Sequence, residues 1–430
     1  MLGTFKKLAL DLTVVLSSLV AVTHLAAGST LCVDAKRSGC HTTIGAAVAH
    51  AAPGDVITVA HGTYREDVVI SKSLSLVGEN AANTIIDGSG LANAVFINGL
   101  LVSRLTGVTI QGFTLTNARY EGLLIANASH VVVRDNRITN NDQALDVKNL
   151  ACPGLPEFET AEDFDCGEGV HLTGVTDSAI VNNTIEHNSG GILISDETGP
   201  TYDNLIAQNL VENNLYDCGI TIPSHPPAPS SGRTFPPFGI YRNQISDNES
   251  SGNGVLGGGA GVGLFGFLPG ARVSENVIKG NRITGNGLPG VAMHGHSGLE
   301  NLNNNRIIGN YIAGNGADTE DAETPGPAGI NIASAGAISG TEILNNVIKN
   351  EAVDIAVKTT AAVIAHDNNL NGPAIGVANL GTGQVNASEN WWGCSQGPNT
   401  PGCSTVTANV LFTPWLSSPA VPNGSPKSQH

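Results

Sequence analysis

Residues 276–286 read Asn-Val-Ile-Lys-Gly-Asn-Arg-Ile-Thr-Gly-Asn, and this stretch decides the fold. It holds two overlapping copies of one pattern: an apolar residue lies two positions after an Asn, and another Asn follows three positions later. Further copies begin at Asn136, Asn183, Asn209, Asn243, Asn305 and Asn310, and degenerate copies begin at Asn346 and Asn368. The late positions 346, 368 and 390 are 22 residues apart. Self-similarity at a fixed period is the signature of a stacked repeat.

A second motif, Gly-apolar-x-apolar, follows the Asn motifs at residues 169–172, 191–194, 219–222, 261–264, 290–293 and 329–332. Its period of two predicts short strands, with Gly or Asn at every corner. No helix-length segment separates these strands, which excludes a βαβ architecture. We therefore predict an all-β fold, a single-stranded right-handed parallel β-helix whose coils stack about 4.8 Å apart. Asn at the corners adopts left-handed conformations and stacks its amides in ladders.

Both ends of the stack carry sequences that cover open strand edges. At the start, Thr42 or Thr43 is the predicted N-cap of an amphipathic helix. One face of this helix holds Ile44, Ala47, Val48 and Ala51. At the finish, all three Trp of the chain fall in the last coil and tail, where we expect their rings to cover the core.

The N-terminus predicts export. Lys6 and Lys7 precede an apolar stretch over 12–25, and small residues follow it, so residues 1–28 are typical of a signal peptide. A membrane anchor is the alternative, although the stretch is shorter than the ~20 residues of a span. The predicted organisation is a signal peptide over 1–28, a β-helix domain over 29–416 and a disordered tail over 417–430. The expected location is secreted or periplasmic, with no membrane span after cleavage.

Charge and cysteine content agree with such a location. The formal net charge is −17, which makes nucleic acid a poor partner. Seven Cys fit an oxidising compartment. The simplest pairing is local, joining Cys32 to Cys40, Cys152 to Cys166 and Cys394 to Cys403, with Cys218 unpaired.

Residues 53–59, 62–66 and 73–78 resemble the first coils of the pectin-lyase-like superfamily. The closing Asn-Trp-Trp-Gly at 390–393 and Pro-Trp-Leu at 414–416 resemble the last coil of its Asn-rich secreted branch, which carries parallel β-helix repeats. The resemblance implies the fold and leaves the activity open, because the superfamily holds lyases, hydrolases, esterases, epimerases and adhesins. The catalytic segments of its pectin esterases and polygalacturonases are missing, so no catalytic residue is carried over from them.

Aligning the coils on inward Leu123, Leu145, Val170 and Ile192 predicts which outward side chains share a column. One polar patch across three coils is expected, formed by Glu121, Asp146, Lys148, Glu168 and His171. The alternative interpretation is a solvated face that is simply polar.

Two chemistries suit this patch. A lyase or epimerase acting on uronic acids would use Lys148 or His171 as base, with Asp146, Glu168 or the acidic loop over 157–165 holding Ca²⁺. A hydrolase would use Glu121 and Glu168, which this alignment places two coils and roughly 9 to 10 Å apart. Such a separation is near the upper end of the ~6.5 to 9.5 Å of inverting enzymes.

A long loop over 223–239 carries the candidate substrate-binding residues Arg233, Phe235 and Phe238, which could wall a groove. His294 and His296 lie two apart on one face of a strand and could chelate a metal, but no third ligand is evident from the sequence. The sequence therefore predicts a protein that binds and processes a polysaccharide, with a uronic-acid lyase or epimerase favoured among enzymes. An inverting glycoside hydrolase and a non-catalytic cell-surface or adhesion scaffold are the alternatives. The oligomeric state is left open.

Overall fold

The chain winds as a parallel β-helix, which confirms the predicted fold class. This computed structural model describes residues 28–103, 105–149, 152–159, 168–224, 237–371 and 374–420. In this part of the chain each coil adds a strand to long parallel sheets of 14, 11 and 12 strands, named here the first, second and third sheet. Residues 1–27, most of the predicted signal peptide, lie outside the described residues.

The first sheet runs the length of the stack. Its strands are Thr30–Val33, Asp55–Val59, Leu74–Gly78, Val108–Gln111, Val132–Arg134, Ala179–Val181, Leu205–Ala207, Gln244–Ser246, Val277–Lys279, Arg306–Ile308, Glu342–Leu344, Val363–His366, Val385–Asn386 and Val410–Leu411. The second sheet follows it around each coil. Its strands are Gly62–Tyr64, Thr84–Asp87, Thr114–Thr116, Arg137–Thr139, Thr184–Glu186, Leu210–Glu212, Glu249–Ser251, Arg282–Thr284, Tyr311–Ala313, Val347–Lys349 and Asn369–Asn371.

The third sheet completes the coil. Its strands are Val68–Ile70, Val95–Asn98, Leu123–Ala126, Glu168–Thr173, Gly190–Ser195, Ile220–Ser224, Val262–Gly266, Val291–Gly295, Ala328–Ser334, Val353–Thr359, Ile375–Asn379 and Thr405–Val406. Two small sheets lie at corners. One pairs Leu105–Thr106 with Ala128–Ser129, and the other joins Thr201–Tyr202, Ile240–Tyr241 and Val273–Ser274.

The core is a set of columns, as the period-two pattern predicts. In the first sheet Ile206, Ile245, Ile278 and Ile307 stack in register, and all four are fully buried. Asn ladders run beside these columns. The longest in the described residues joins Asn136, Asn183, Asn209, Asn248, Asn281, Asn310, Asn346, Asn368 and Asn390. Each Asn after the first accepts a hydrogen bond from the backbone N–H of the Asn before it. The ladders satisfy backbone groups that the corners would otherwise leave buried and unpaired.

The left-handed corner position differs from the prediction by one residue. Asp247, which precedes the ladder residue Asn248, has φ 55°, and Asn345 before Asn346 has φ 57°. The ladder Asn is instead selected for its amide, which donates and accepts along the stack at once. The residue before it takes the turn, and Gly280 serves there with φ 69°.

The stack is closed at both ends. The helix Ile44–His50 begins at its N-cap Thr43, whose side chain accepts from the Ala46 N–H at 3.2 Å. The predicted apolar face of this helix is buried. At the other end the expectation for the Trp residues is confirmed only in part, because Trp392 is fully buried whereas Trp415 is exposed. Ala420 exchanges two hydrogen bonds with Asn369, so the chain contacts the stack at this residue.

The disulfides Cys32–Cys40 and Cys394–Cys403 form as predicted, and Cys218 is a buried free thiol. Cys152 is also disulfide-bonded, while Cys166 lies outside the described residues. Across the described residues, no helix has the length and apolar character needed to cross a membrane.

Candidate functional site

The outward face of the third sheet carries the polar side chains that the sequence singles out. His171 lies in register with Leu193, as predicted, and with Leu124 on the other side, where the alignment placed Asp146. The same column continues through Thr221 and Gly263 in the next coils. Several insertions lie between a strand of the second sheet and the next strand of the third sheet. Their loops therefore border one side of this outward face.

The predicted patch is wrong for one of its coils. The strand Leu123–Ala126 pairs directly with Glu168–Thr173, so no coil built around Leu145 lies between them. The chain leaves the stack after residue 139, and its next strand of the third sheet begins at Glu168. Asp146 and Lys148 therefore lie on a turn of the insertion, outside the strand columns.

On that turn Asp146 accepts hydrogen bonds from the Lys148 backbone N–H at 3.0 Å and from the Asn149 side chain at 2.7 Å. These two bonds lower the pKa of Asp146. Lys148 is exposed. The same change of register moves Glu121 and Glu168 into neighbouring coils, so their predicted spacing of two coils is also wrong.

The side chains that do converge form a buried cluster around His171, made of Glu121, Glu159, His171, Ser195 and Glu197. His171 is 2% exposed, and its Nε2 lies 2.9 Å from Ser195 Oγ and 3.1 Å from Glu197 Oε2. Ser195 Oγ donates to Glu197 Oε2 at 2.6 Å. On the other side of the ring, Nδ1 lies 3.8 Å from Glu121 Oε1.

The charges of the cluster hold His171 in its protonated form. Burial lowers the pKa of His171, but the Glu197 carboxylate and the contacts with Glu121 and Glu159 outweigh it and place that pKa well above 6.5. Glu159 reaches the cluster from the insertion and is 2% exposed. Burial and the neighbouring Glu121 charge raise the pKa of Glu159 well above its ordinary value, so it is protonated more readily than a free carboxylic acid.

Ser195, His171 and Glu121 contact one another in the order of a nucleophile, a base and an orienting acid. Burial argues against nucleophilic catalysis by this set. Ser195 is fully buried and its hydroxyl proton is directed to Glu197. A nucleophilic serine needs an unprotonated base and access to substrate. The cluster has neither property, so we interpret it as support for the face.

Next to the cluster, two carboxyl side chains meet across a glycine. A Cβ atom at Gly190 would lie 3.0 Å from Glu168 Cγ and 3.3 Å from Asp217 Oδ2, so only Gly leaves this space open. Asp142 is buried nearby and accepts from the Ser189 N–H. Burial raises the pKa of Asp142 well above its ordinary value, with a contribution from the charge of Asp217.

From Asp217 the face opens into a groove. This cavity of about 520 Å³ is lined by Asp217, Cys218, Thr221, Pro223, Gly258, Phe265, Phe267, Leu288, His294, His296 and Asp321. Of the predicted substrate-binding residues, Phe238 is 43% exposed and is absent from this lining, while Arg233 and Phe235 lie outside the described residues. His294 and His296 stack with ring centroids 4.9 Å apart. Burial and the His296 charge lower the pKa of His294 to about 4.

Two sets of side chains on this face could hold a metal ion. In each, the ligand atoms lie within 4.8 Å of one another: Glu121, Glu159 and His171 form one set, and His294, His296 and Asp321 form the other. The first set suits Ca²⁺ poorly, because Ca²⁺ takes six to eight oxygen ligands and a protonated His171 offers no lone pair. Sequence reasoning missed Glu197, Asp217 and Asp321, because all three lie at corners or in insertions where no repeat pattern reports position.

The comparisons with known proteins agree with this architecture. Residues 76–262 match the family model described as "Right handed beta helix region". No curated protein sequence matches the chain.

Among solved structures, the chain is similar to the DFA-IIIase from Arthrobacter chlorophenolicus A6 in complex with GF2. The two share 13% identity over 90% of this chain and 98% of that one, with a TM-score of 0.53. The catalytic domain of a GH87 alpha-1,3-glucanase in complex with tetrasaccharides shares 13% identity over 90% of this chain and 68% of that one, with a TM-score of 0.51. An alginate lyase from Paenibacillus sp. str. FPU-7 shares 13% identity over 86% of this chain and 96% of that one, with a TM-score of 0.46. At such identities the likeness shows the fold alone.

Proposed function

We propose that this protein is a secreted carbohydrate-active enzyme that hydrolyses a glycosidic bond on the outward face of the third sheet. The observation that carries the proposal is the pair of carboxyl side chains, Glu168 and Asp217, that meet across Gly190. Glu168 is 1% exposed, and the pair is reached from the groove through Asp217, which lines its start. Two carboxyl groups on either side of one bond are the machinery of most glycosidases, one as acid and the other as base or nucleophile.

Protonation of the surroundings supports this role. Burial raises the pKa of Asp142, with a contribution from the charge of Asp217, and burial also raises the pKa of Glu159 in the neighbouring cluster. Carboxyl groups buried in this way hold a proton more readily than exposed ones, which is the property that the acid of a glycosidase needs. Phe265 and Phe267 line the groove and offer apolar faces against which sugar rings pack.

The same geometry makes elimination from a uronic acid less favourable. Its base must be unprotonated and within reach of the sugar. Of the two predicted bases, His171 is buried and has a raised pKa, and Lys148 is exposed on the turn of the insertion. An acidic face also repels a polyuronate. We therefore favour a neutral glycan as substrate. One of the similar solved structures named above, with a TM-score of 0.51, is in complex with tetrasaccharides, which supports saccharide binding by this fold.

The test is a panel of neutral glucans and fructans together with pectin and alginate, scored for reducing ends and for ultraviolet absorbance of unsaturated products. We expect reducing ends from a neutral glycan, and a loss of about 10²- to 10⁴-fold in kcat for Glu168→Gln and for Asp217→Asn. Glu212→Gln on the second sheet is the matched control and keeps full activity. Unsaturated products would replace hydrolysis by elimination, and saccharide binding without any product would favour the non-catalytic scaffold.

A further inference from the structure

The far end of the groove brings two imidazoles and a carboxylate together. His294 lies in register with Phe265 of the preceding coil, and His296 follows two positions later, so strand alternation points both rings to the same side. Asp321 comes from the insertion between Ala313 and Ala328, and it faces both rings across the groove.

The surroundings of His294 indicate that its side chain binds a ligand and does not merely pack in the core. The residue is 6% exposed and lines the groove, and no hydrogen bond joins its ring nitrogens to a residue in the described part of the chain. An imidazole nitrogen without a hydrogen-bond partner keeps a lone pair that is available to a ligand entering from the groove. Phe265 packs edge-on to His294 at 4.5 Å, and Phe267 lies 4.4 Å from His296. These aromatic contacts fix the ring orientations in advance.

The separations between the ligand atoms of His294, His296 and Asp321 fit a bound metal ion after a small movement of the side chains. The ligand atoms of the three residues lie within 4.8 Å of one another, whereas ligands at ~2.0 to 2.2 Å from one tetrahedral zinc lie about 3.3 Å apart. His296 and Asp321 are both exposed, and Asp321 lies on a bend, so the remaining 1 to 2 Å is within ordinary side-chain rotation. His294 provides the fixed point.

We propose that His294, His296 and Asp321 bind a divalent transition-metal ion of the zinc class. Two imidazole nitrogens and one carboxylate suit Zn²⁺ and Co²⁺, while Ca²⁺ and Mg²⁺ require a shell of oxygens. Three protein ligands leave a coordination position open to the groove, where water or a hydroxyl group of a bound saccharide completes the shell. The site does not depend on the proposed hydrolysis, since Glu168 and Asp217 lie in earlier coils.

The experiment titrates the full chain, purified without a polyhistidine tag and stripped with chelator, with ZnCl₂ by calorimetry and with CoCl₂ by visible absorption. We expect one ion per chain, Co²⁺ bands typical of low coordination number, and no competition from CaCl₂. His296→Ala and Asp321→Asn each lower Zn²⁺ affinity at least about 10-fold. Both residues are exposed, so these variants keep the fold, which their melting temperatures without metal verify. His50→Ala, at the exposed end of the helix, is the matched control. Absent binding, or wild-type affinity in both variants, overturns the site.

Discussion

Replacing His171 by Gln removes the imidazolium from the buried cluster. Its Nε2 lies 3.1 Å from Glu197, and the two side chains are 3% and 0% exposed. Breaking a buried ion pair by removing one partner costs about 3 to 5 kcal/mol, because the remaining charge stays in a low-dielectric site. With an unfolding entropy of about 2.1 cal/mol/K per residue, a chain of 430 residues then melts about 3 to 6 °C lower.

A double-mutant cycle separates charge from packing. His171→Gln with Glu197→Gln leaves two neutral amides in contact, so we expect the double variant to recover at least half of the lost stability. His187→Gln, whose side chain is 52% exposed, is the control and shifts melting by about 1 °C or less. Calorimetric melts of wild type, His171→Gln, Glu197→Gln, the double variant and the control give the result. A double variant no more stable than His171→Gln would refute the ion-pair reasoning.

The pH dependence gives an independent measure of the same pair. Since the pKa of His171 is raised in the folded state, its contribution is complete below its unfolded value near 6.5 and is lost as pH rises through the folded value. In His171→Gln the buried carboxylate of Glu197 loses its cationic partner, and burial then favours its protonated form. We expect this variant to lose stability between pH 4.5 and 6.5 more steeply than wild type, by up to about 1.4 kcal/mol per pH unit. Parallel curves over that window would contradict this.

Two further predictions concern the Asn ladders. Asn281→Ala takes the acceptor from both the backbone and the side-chain N–H of Asn248, so we expect about 3 kcal/mol of destabilisation in denaturant melts, against under 1 kcal/mol for Asn303→Ala, whose single hydrogen bond is exposed. Glu351 ends another ladder by accepting from Asn315, and burial raises the pKa of Glu351 to about 7. Stability from this group is complete below about 4.5 and lost as pH rises through 7. Glu351→Gln should match wild type at pH 4.5 and exceed it by on the order of 2 kcal/mol at pH 8, and an equal response of the two melting curves to pH would contradict the assignment.

The repeating part of the fold could be predicted because its positions are fixed by local pattern. The inward Ile and the ladder Asn lie at constant offsets, and a slip of one residue would turn every side chain to the wrong face. This constraint is why the sequence places His171 correctly beside Leu193, although it put Asp146 in the position that Leu124 occupies. The pattern Leu145-Asp146-Val147 alternates like a strand as well, yet it forms no strand of the third sheet, because alternation alone does not show whether a segment continues the stack or belongs to an insertion.

The groove could be predicted only in part, for a related reason. Asp217 and Asp321 lie at corners and in insertions, where length and sequence vary and no inward residue sets the register. Their positions depend on how each insertion folds back over the sheet, which is a matter of tertiary packing. His294 lies on a strand and His296 directly after it, so the sequence shows them as a pair, whereas it does not show their third partner, Asp321.

Strand Leu123–Ala126 pairs in register with Glu168–Thr173 although a long excursion separates them in the sequence. The two coils on either side of this corner therefore pair with each other directly, whatever the length of the segment between them. Exchanging the segment between residues 139 and 168 for one of another length would keep the paired coils and change the loop that borders the outward face. Ligand preference in such a fold can therefore change through the loops at its corners, while the stability of the chain comes from the stacked coils.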